Sequence, residues 1–157
     1  MKILLATDGS VYSKKAVEQL AEMPHNSETQ IRVLSVFESF PILIMPAPGP
    51  AGGIGGYYEE MTAAARKSAE ESVSNAAGFL KEKNPALAID TAVVNGSPKE
   101  IILKAAAEFD ADLIVVGSHG RGAFSRFLMG SVSQSMALHA SCSVLIVRKQ
   151  EAKDERK

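Results

Sequence analysis

The densest concentration of chemistry-bearing residues lies between Gly117 and Ser131, where Gly117, Gly120, Gly122 and Gly130 are interspersed with His119, Arg121 and Arg126. Glycines let backbone amides approach an anion with no side chain in the way. Where such a stretch feeds a helix, the helix's first amides and the positive end of its dipole add to the attraction. Phosphate is the ligand this arrangement suits, with the Ser131 hydroxyl as a further donor. Glycines at this spacing serve plain turn geometry equally well, so the spacing alone leaves both readings open. Asp8 closes the first apolar run of the chain. Its carboxylate would repel phosphate but can accept two hydrogen bonds from a sugar diol; helix capping together with Ser10 is the alternative. Exposed loop cations are common, so none of His119, Arg121 and Arg126 is assigned a role individually.

Several chemistries are missing. The sequence holds no Gly-x-x-x-x-Gly-Lys-Ser/Thr loop and no Gly-x-Gly-x-x-Gly directly after the first strand, which removes P-loop NTPases and dinucleotide dehydrogenases. A Gly-x-Ser-x-Gly elbow is absent too, and the single Cys142 has no metal-ligand spacing with His25, His119 or His139. Without an evident general base or nucleophile, efficient catalysis is not expected.

The elements that must position these residues follow from pattern. Lys2 to Thr7 is an apolar run read as a buried strand, and the helix after it spans about Val11 to Met23 before Pro24, with Ser10 as its cap. Gln30 to Phe37 is a second strand. The stretch from Phe40 to Gly56 holds four prolines and five glycines and reads as a long loop, in which Ile42 to Met45 is an apolar patch. Met61, Ala65, Ala69, Val73, Ala76 and Leu80 recur at helical spacing and predict one long helix from Tyr57 to Lys83. Leu87 to Val94 is a third strand. Ser97-Pro98-Lys99-Glu100 has the form of a capping box with proline at the first helical position, and predicts a helix to about Phe109. Asp112 to Val116 is a strand, Ser131 to about His139 a helix, Ser143 to Val147 a last strand, and Gln150 to Lys157 a charged tail. Strand and helix alternate, and the strands are apolar on both faces, so the expected fold class is α/β. It is a single doubly wound domain over residues 1 to 149, with a five-stranded parallel sheet in the order 3-2-1-4-5. That order makes strands one and four neighbours and opens a crevice between Asp8 and Gly117, the place where such sheets bind ligands.

Composition narrows the function classes. At 157 residues with 46% hydrophobic and 22% charged residues, the chain fits one globular domain. Seventeen basic against eighteen acidic side chains supply no long-range attraction for nucleic acid or an anionic membrane, so neither is expected as a partner. The apolar start is too short for a signal peptide, and one cysteine fits a reducing compartment; a cytoplasmic location is expected. The apolar run Val144 to Val147 would form a sheet edge, which needs cover and predicts a homodimer through that strand.

A glycine, two residues, a glycine, nine residues, then glycine and serine occur here as Gly117, Gly120, Gly130 and Ser131. This resembles the ATP-binding signature of the universal stress protein family. The likeness extends over nearly the whole chain, through the strand ending in Asp8, the turn at Gly96 to Pro98, the block Val115 to Gly120 and the closing strand. The resemblance implies ATP as ligand, with any Mg2+ held through its phosphates. It assigns Asp8 to the ribose hydroxyls, Val36 to the adenine, and Gly117, Gly120, Gly130, Ser131 and Val132 to the phosphates. Val36 read by itself is a core residue. The resemblance also implies the same dimer, and a regulatory role in stress response rather than rapid turnover. The alternatives are a slow ATPase, an enzyme that phosphorylates itself at Ser131 or Ser133, and a dimerisation module without nucleotide.

Overall fold

A computed structural model describes residues 1–39, 54–120 and 129–148. Most of the proline- and glycine-rich stretch, Arg121, Arg126 and the charged tail lie outside these residues. Five strands, β1 (Lys2–Ala6), β2 (Gln30–Phe37), β3 (Ala88–Asn95), β4 (Leu113–Gly117) and β5 (Ser143–Val147), form one parallel sheet in the order β3-β2-β1-β4-β5. Helices α1 (Val11–Glu22), α2 (Ile54–Lys83), α3 (Pro98–Glu108) and α4 (Ser131–His139) make the crossovers. The order follows the doubly wound expectation because each apolar strand needs cover on both faces.

Two cores result. Ile3, Leu5, Ile31, Val33 and Val115 point to the α1–α2 side, where Ala16, Leu20, Val73, Ala76 and Leu80 meet them. Leu4, Ala6, Leu34, Ile114 and Val116 point to the α3–α4 side, against Ile102, Ala106 and Met136. The alternation is the period-two geometry of a strand. No helix among the described residues is long and apolar enough to cross a membrane.

At the opposite, amino-terminal end of the sheet, Phe109 sits under the Arg32 guanidinium at 4.4 Å and near the Lys2 ammonium at 5.6 Å. Lys2 also pairs with Asp110, and Arg32 with Asp90. This cluster fastens the end of α3 to β1 and β2 through cation–π and charge contacts.

Three local expectations are corrected. Helix α2 starts at Ile54 rather than Tyr57, so Ile54, Gly55 and Gly56 are helical. Glycine adopts helical angles at a cost of only about 1 kcal/mol each, and a long helix already nucleated downstream propagates through them. The Ser97 hydroxyl makes no capping bond, so the predicted capping box does not close. Ser97 has ψ 119°, whereas Ser10 has ψ 164° and accepts from the Ser13 amide at 3.2 Å. The last correction shifts β3 and β4 one residue towards their carboxyl ends, because Asn95 pairs with Phe37 and Gly117 with Val147.

Candidate functional site

Because β1 and β4 are neighbours, the chain leaves them for helices on opposite faces and a cleft opens beyond their carboxyl ends. A cavity of about 480 Å³ fills this place. Asp8, Val36, Gly117, Gly120, Gly130, Ser131 and Val132, all seven residues expected at the site, line it. One wall is apolar: Ala6, Leu34, Val36 and Val116 from the strand ends, with Pro98 and Ile102 from α3. The cavity's polar lining comes from Thr7, Asp8, Ser13, His119, Ser131 and Ser133.

Asp8 is held by its own turn. Its Oδ1 accepts from the Ser10 amide at 3.0 Å, while the cap of α1 is the Ser10 hydroxyl. A Cβ on Gly120 would stand 3.1 Å from Asp8 Oδ2, so glycine here leaves the carboxylate its room. Gly117 has a different reason. A Cβ there would lie 2.7 Å from the Tyr12 carbonyl carbon and 2.8 Å from Ser13 N, which means that the start of α1 packs directly on the end of β4.

The far side of the site is set at Ser118. Its amide donates to Val147 O at 2.8 Å and its carbonyl accepts from the Gly130 amide at 2.8 Å. The chain therefore departs after Ser118 and returns to it at Gly130, where α4 begins. Gly130 N–H is engaged in this closure and is not one of the amides facing a ligand. The donors offered by α4 are those of its first turn, Ser131 and Val132 onward, which have no partner within the helix. The His119 ring lies against Tyr12 with centroids 4.8 Å apart, and its Nδ1 is 3.0 Å from Ser118 Oγ. Val36 is half-buried and belongs to the α3–α4 core as well as to the cavity wall.

Sequence reasoning missed Ser13, Pro98 and Ile102 as lining residues and named Ser133 only as an acceptor for self-phosphorylation. The apolar spacing of Pro98 and Ile102, four apart on α3, was a usable signal. Ser133 is buried and its hydroxyl donates within the protein, so it is not an accessible phosphate acceptor, whereas Ser131 is exposed. Burial pushes the Cys142 thiol above its ordinary range, and the nearby Asp112 carboxylate adds to the rise; Cys142 does not line the cavity. Among the described residues no group of His, Cys, Asp and Glu is placed to hold a metal ion.

The sequence model of the Universal stress protein family matches residues 1–148. A relative from Staphylococcus aureus (strain USA300), assigned to the universal stress proteins, is 32% identical over 152 residues, covering 95% of this chain and 84% of its own. Among solved structures, the protein designated MJ0577 superposes with a TM-score of 0.77 at 22% identity, covering 96% of this chain and 97% of its own. A universal stress protein family protein from Arabidopsis thaliana, solved with AMP bound, gives 0.68 at 20% identity, covering 98% and 97%. These structural likenesses concern the fold.

Proposed function

The chain belongs to the universal stress protein family, and from that premise we propose that it is a cytoplasmic regulatory module of the stress response that binds ATP at the β1–β4 cleft. The observation that carries this reading is the convergence of Asp8, Val36, Gly117, Gly120, Gly130, Ser131 and Val132 on one cavity with both polar and apolar lining. Its volume of about 480 Å³ is in the range of small-molecule sites. The adenine takes the apolar wall beside Val36, the ribose diol donates to Asp8, and the phosphates face Gly117, Gly120 and the first turn of α4. Gly130 contributes by letting that turn close on Ser118. Any Mg2+ arrives with the phosphates, since the described residues offer it no cluster of their own. The AMP-bound Arabidopsis neighbour supports an adenine nucleotide as the ligand class.

Fluorescent-ATP titration tests the reading. A Cβ at Gly130 would lie 3.1 Å from both Ser118 O and His119 Cα, so the branched side chain of Gly130→Val must push the start of α4 off its seat. Wild type is expected to bind, and the variant to bind at least about tenfold more weakly, from a loss above roughly 1.4 kcal/mol. Equal binding by the two proteins would refute the assignment.

We also infer a homodimer through β5. Among the described residues this strand is hydrogen-bonded on one side only, to β4, and presents half-buried Val144, Leu145 and Ile146 at the sheet edge. Leu138 on the preceding helix is 68% exposed. An apolar open edge is a hazard unless another chain covers it. Light scattering at micromolar concentration is expected to give twice the chain mass of 16.7 kDa. A single-chain mass at every concentration would end this inference.

A further inference from the structure

Ser133 is the third residue of α4 and is 2% exposed. Its hydroxyl lies 3.0 Å from Ser118 O and 2.9 Å from Gly130 O, and donates to both. A hydroxyl has one proton, so this donor is shared between the last turn of the β4 side and the first residue of the α4 side. Neither acceptor depends on it. Ser118 O also accepts the Gly130 amide at 2.8 Å, and Gly130 O accepts the Gln134 amide at 2.9 Å. A buried hydroxyl that rescues no orphaned carbonyl, yet ties two segments that the Gly130 amide also joins, acts on geometry.

We propose that Ser133 is a positioning residue, whose hydroxyl fixes the first turn of α4 against the end of β4 so that the Ser131 and Val132 amides keep a constant aim at the ligand's anionic end. This rests on the nucleotide reading above. It separates Ser133 from the neighbouring residues of the same cavity: Ser133 holds the donors and does not itself donate to the ligand, because its proton is committed to the two carbonyls.

The consequence is selective. Ser133→Ala removes the tie but leaves both carbonyls a donor, so the melting temperature stays within about 4 °C of wild type. ATP affinity is expected to fall about tenfold, the worth of one hydrogen bond's geometry. Affinity for adenosine, which has no phosphate for those amides to meet, stays within about twofold. Ser133→Thr keeps a hydroxyl that can bond a preceding carbonyl in a helix, and is expected to restore ATP affinity to within about threefold of wild type. Hydrogen exchange at the Gly130 amide, followed without ligand, is expected to quicken about tenfold in Ser133→Ala. Equal losses for ATP and adenosine, or unchanged ATP affinity with unchanged Gly130 exchange, overturn the proposal. A wild type that binds neither ligand overturns the nucleotide reading instead, and the ligand-free exchange measurement still decides whether Ser133 holds the turn.

Discussion

Asp8→Ala is expected to weaken ATP binding about a hundredfold while changing the affinity for 2′,3′-dideoxy-ATP less than about threefold. The Asp8 carboxylate is oriented by the Ser10 amide on Oδ1, and its Oδ2 is turned toward Gly120 at the cavity. A diol donating to an ionised carboxylate makes hydrogen bonds worth about 1.5 to 3 kcal/mol each, and losing the pair costs about 2.7 kcal/mol or more, a hundredfold in Kd. The dideoxy nucleotide has no hydroxyl to offer, so it binds wild type weakly and has little more to lose. Asp8→Asn keeps an oxygen for Ser10 and should fall between wild type and alanine, because a neutral amide is the weaker acceptor. Isothermal titration with the two nucleotides provides the test. If Asp8→Ala weakens both by the same factor, the carboxylate does not read the sugar, and the orientation of the nucleotide given above is wrong.

The second large effect concerns folding. Gly117→Ala is expected to lower stability by about 3 kcal/mol, the upper part of the usual overpacking range. For a chain of this length that is a fall in melting temperature of about 6 to 12 °C. The added Cβ would meet Tyr12 C at 2.7 Å and Ser13 N and Tyr12 O at 2.8 Å. All three are backbone atoms, so no side chain can rotate away, and α1 must shift from β4. Gly78→Ala is the control. That glycine is exposed in the interior of α2 with nothing within 4 Å of its would-be Cβ, so alanine should add about 1 kcal/mol through helix propensity. The same chemical change thus has opposite signs at two positions. Thermal melts that move in one direction for both would remove the packing account of Gly117.

That contrast marks how far the sequence could be read. The sheet order and the cleft were legible because they follow from local facts: apolar runs long enough for strands, helical periodicity between them, and the rules of parallel crossovers. The resemblance carried the site residues to within one cavity. Which task each glycine performs was not legible. The closeness of Tyr12 to Gly117 joins residues more than a hundred positions apart, and no spacing rule announces it. The resemblance gives Gly130 to the phosphates, and nothing local shows that Ser118 O takes its amide. Ser97 has the residue type of a cap without the backbone angle for one, and Ile54 to Gly56 look like loop because their composition opposes a helix that propagation extends over them. Ser133 was read only as an acceptor for self-phosphorylation, because one serine among the three of α4 has no distinctive signature as a tie until its two carbonyl partners are placed.

The closure at Ser118 also makes this fold a natural chassis for engineered sensors. With Gly130 N–H resting 2.8 Å from Ser118 O, the ends of the intervening segment are fixed a single hydrogen bond apart. Doubling the length of a closed loop adds only about 0.6 kcal/mol of closure entropy. A fluorescent domain with adjacent termini, grafted between positions 120 and 129, would start and finish at the rim of the cavity while leaving the sheet register untouched, and comparing its emission with and without nucleotide would test the proposed occupancy of the cleft.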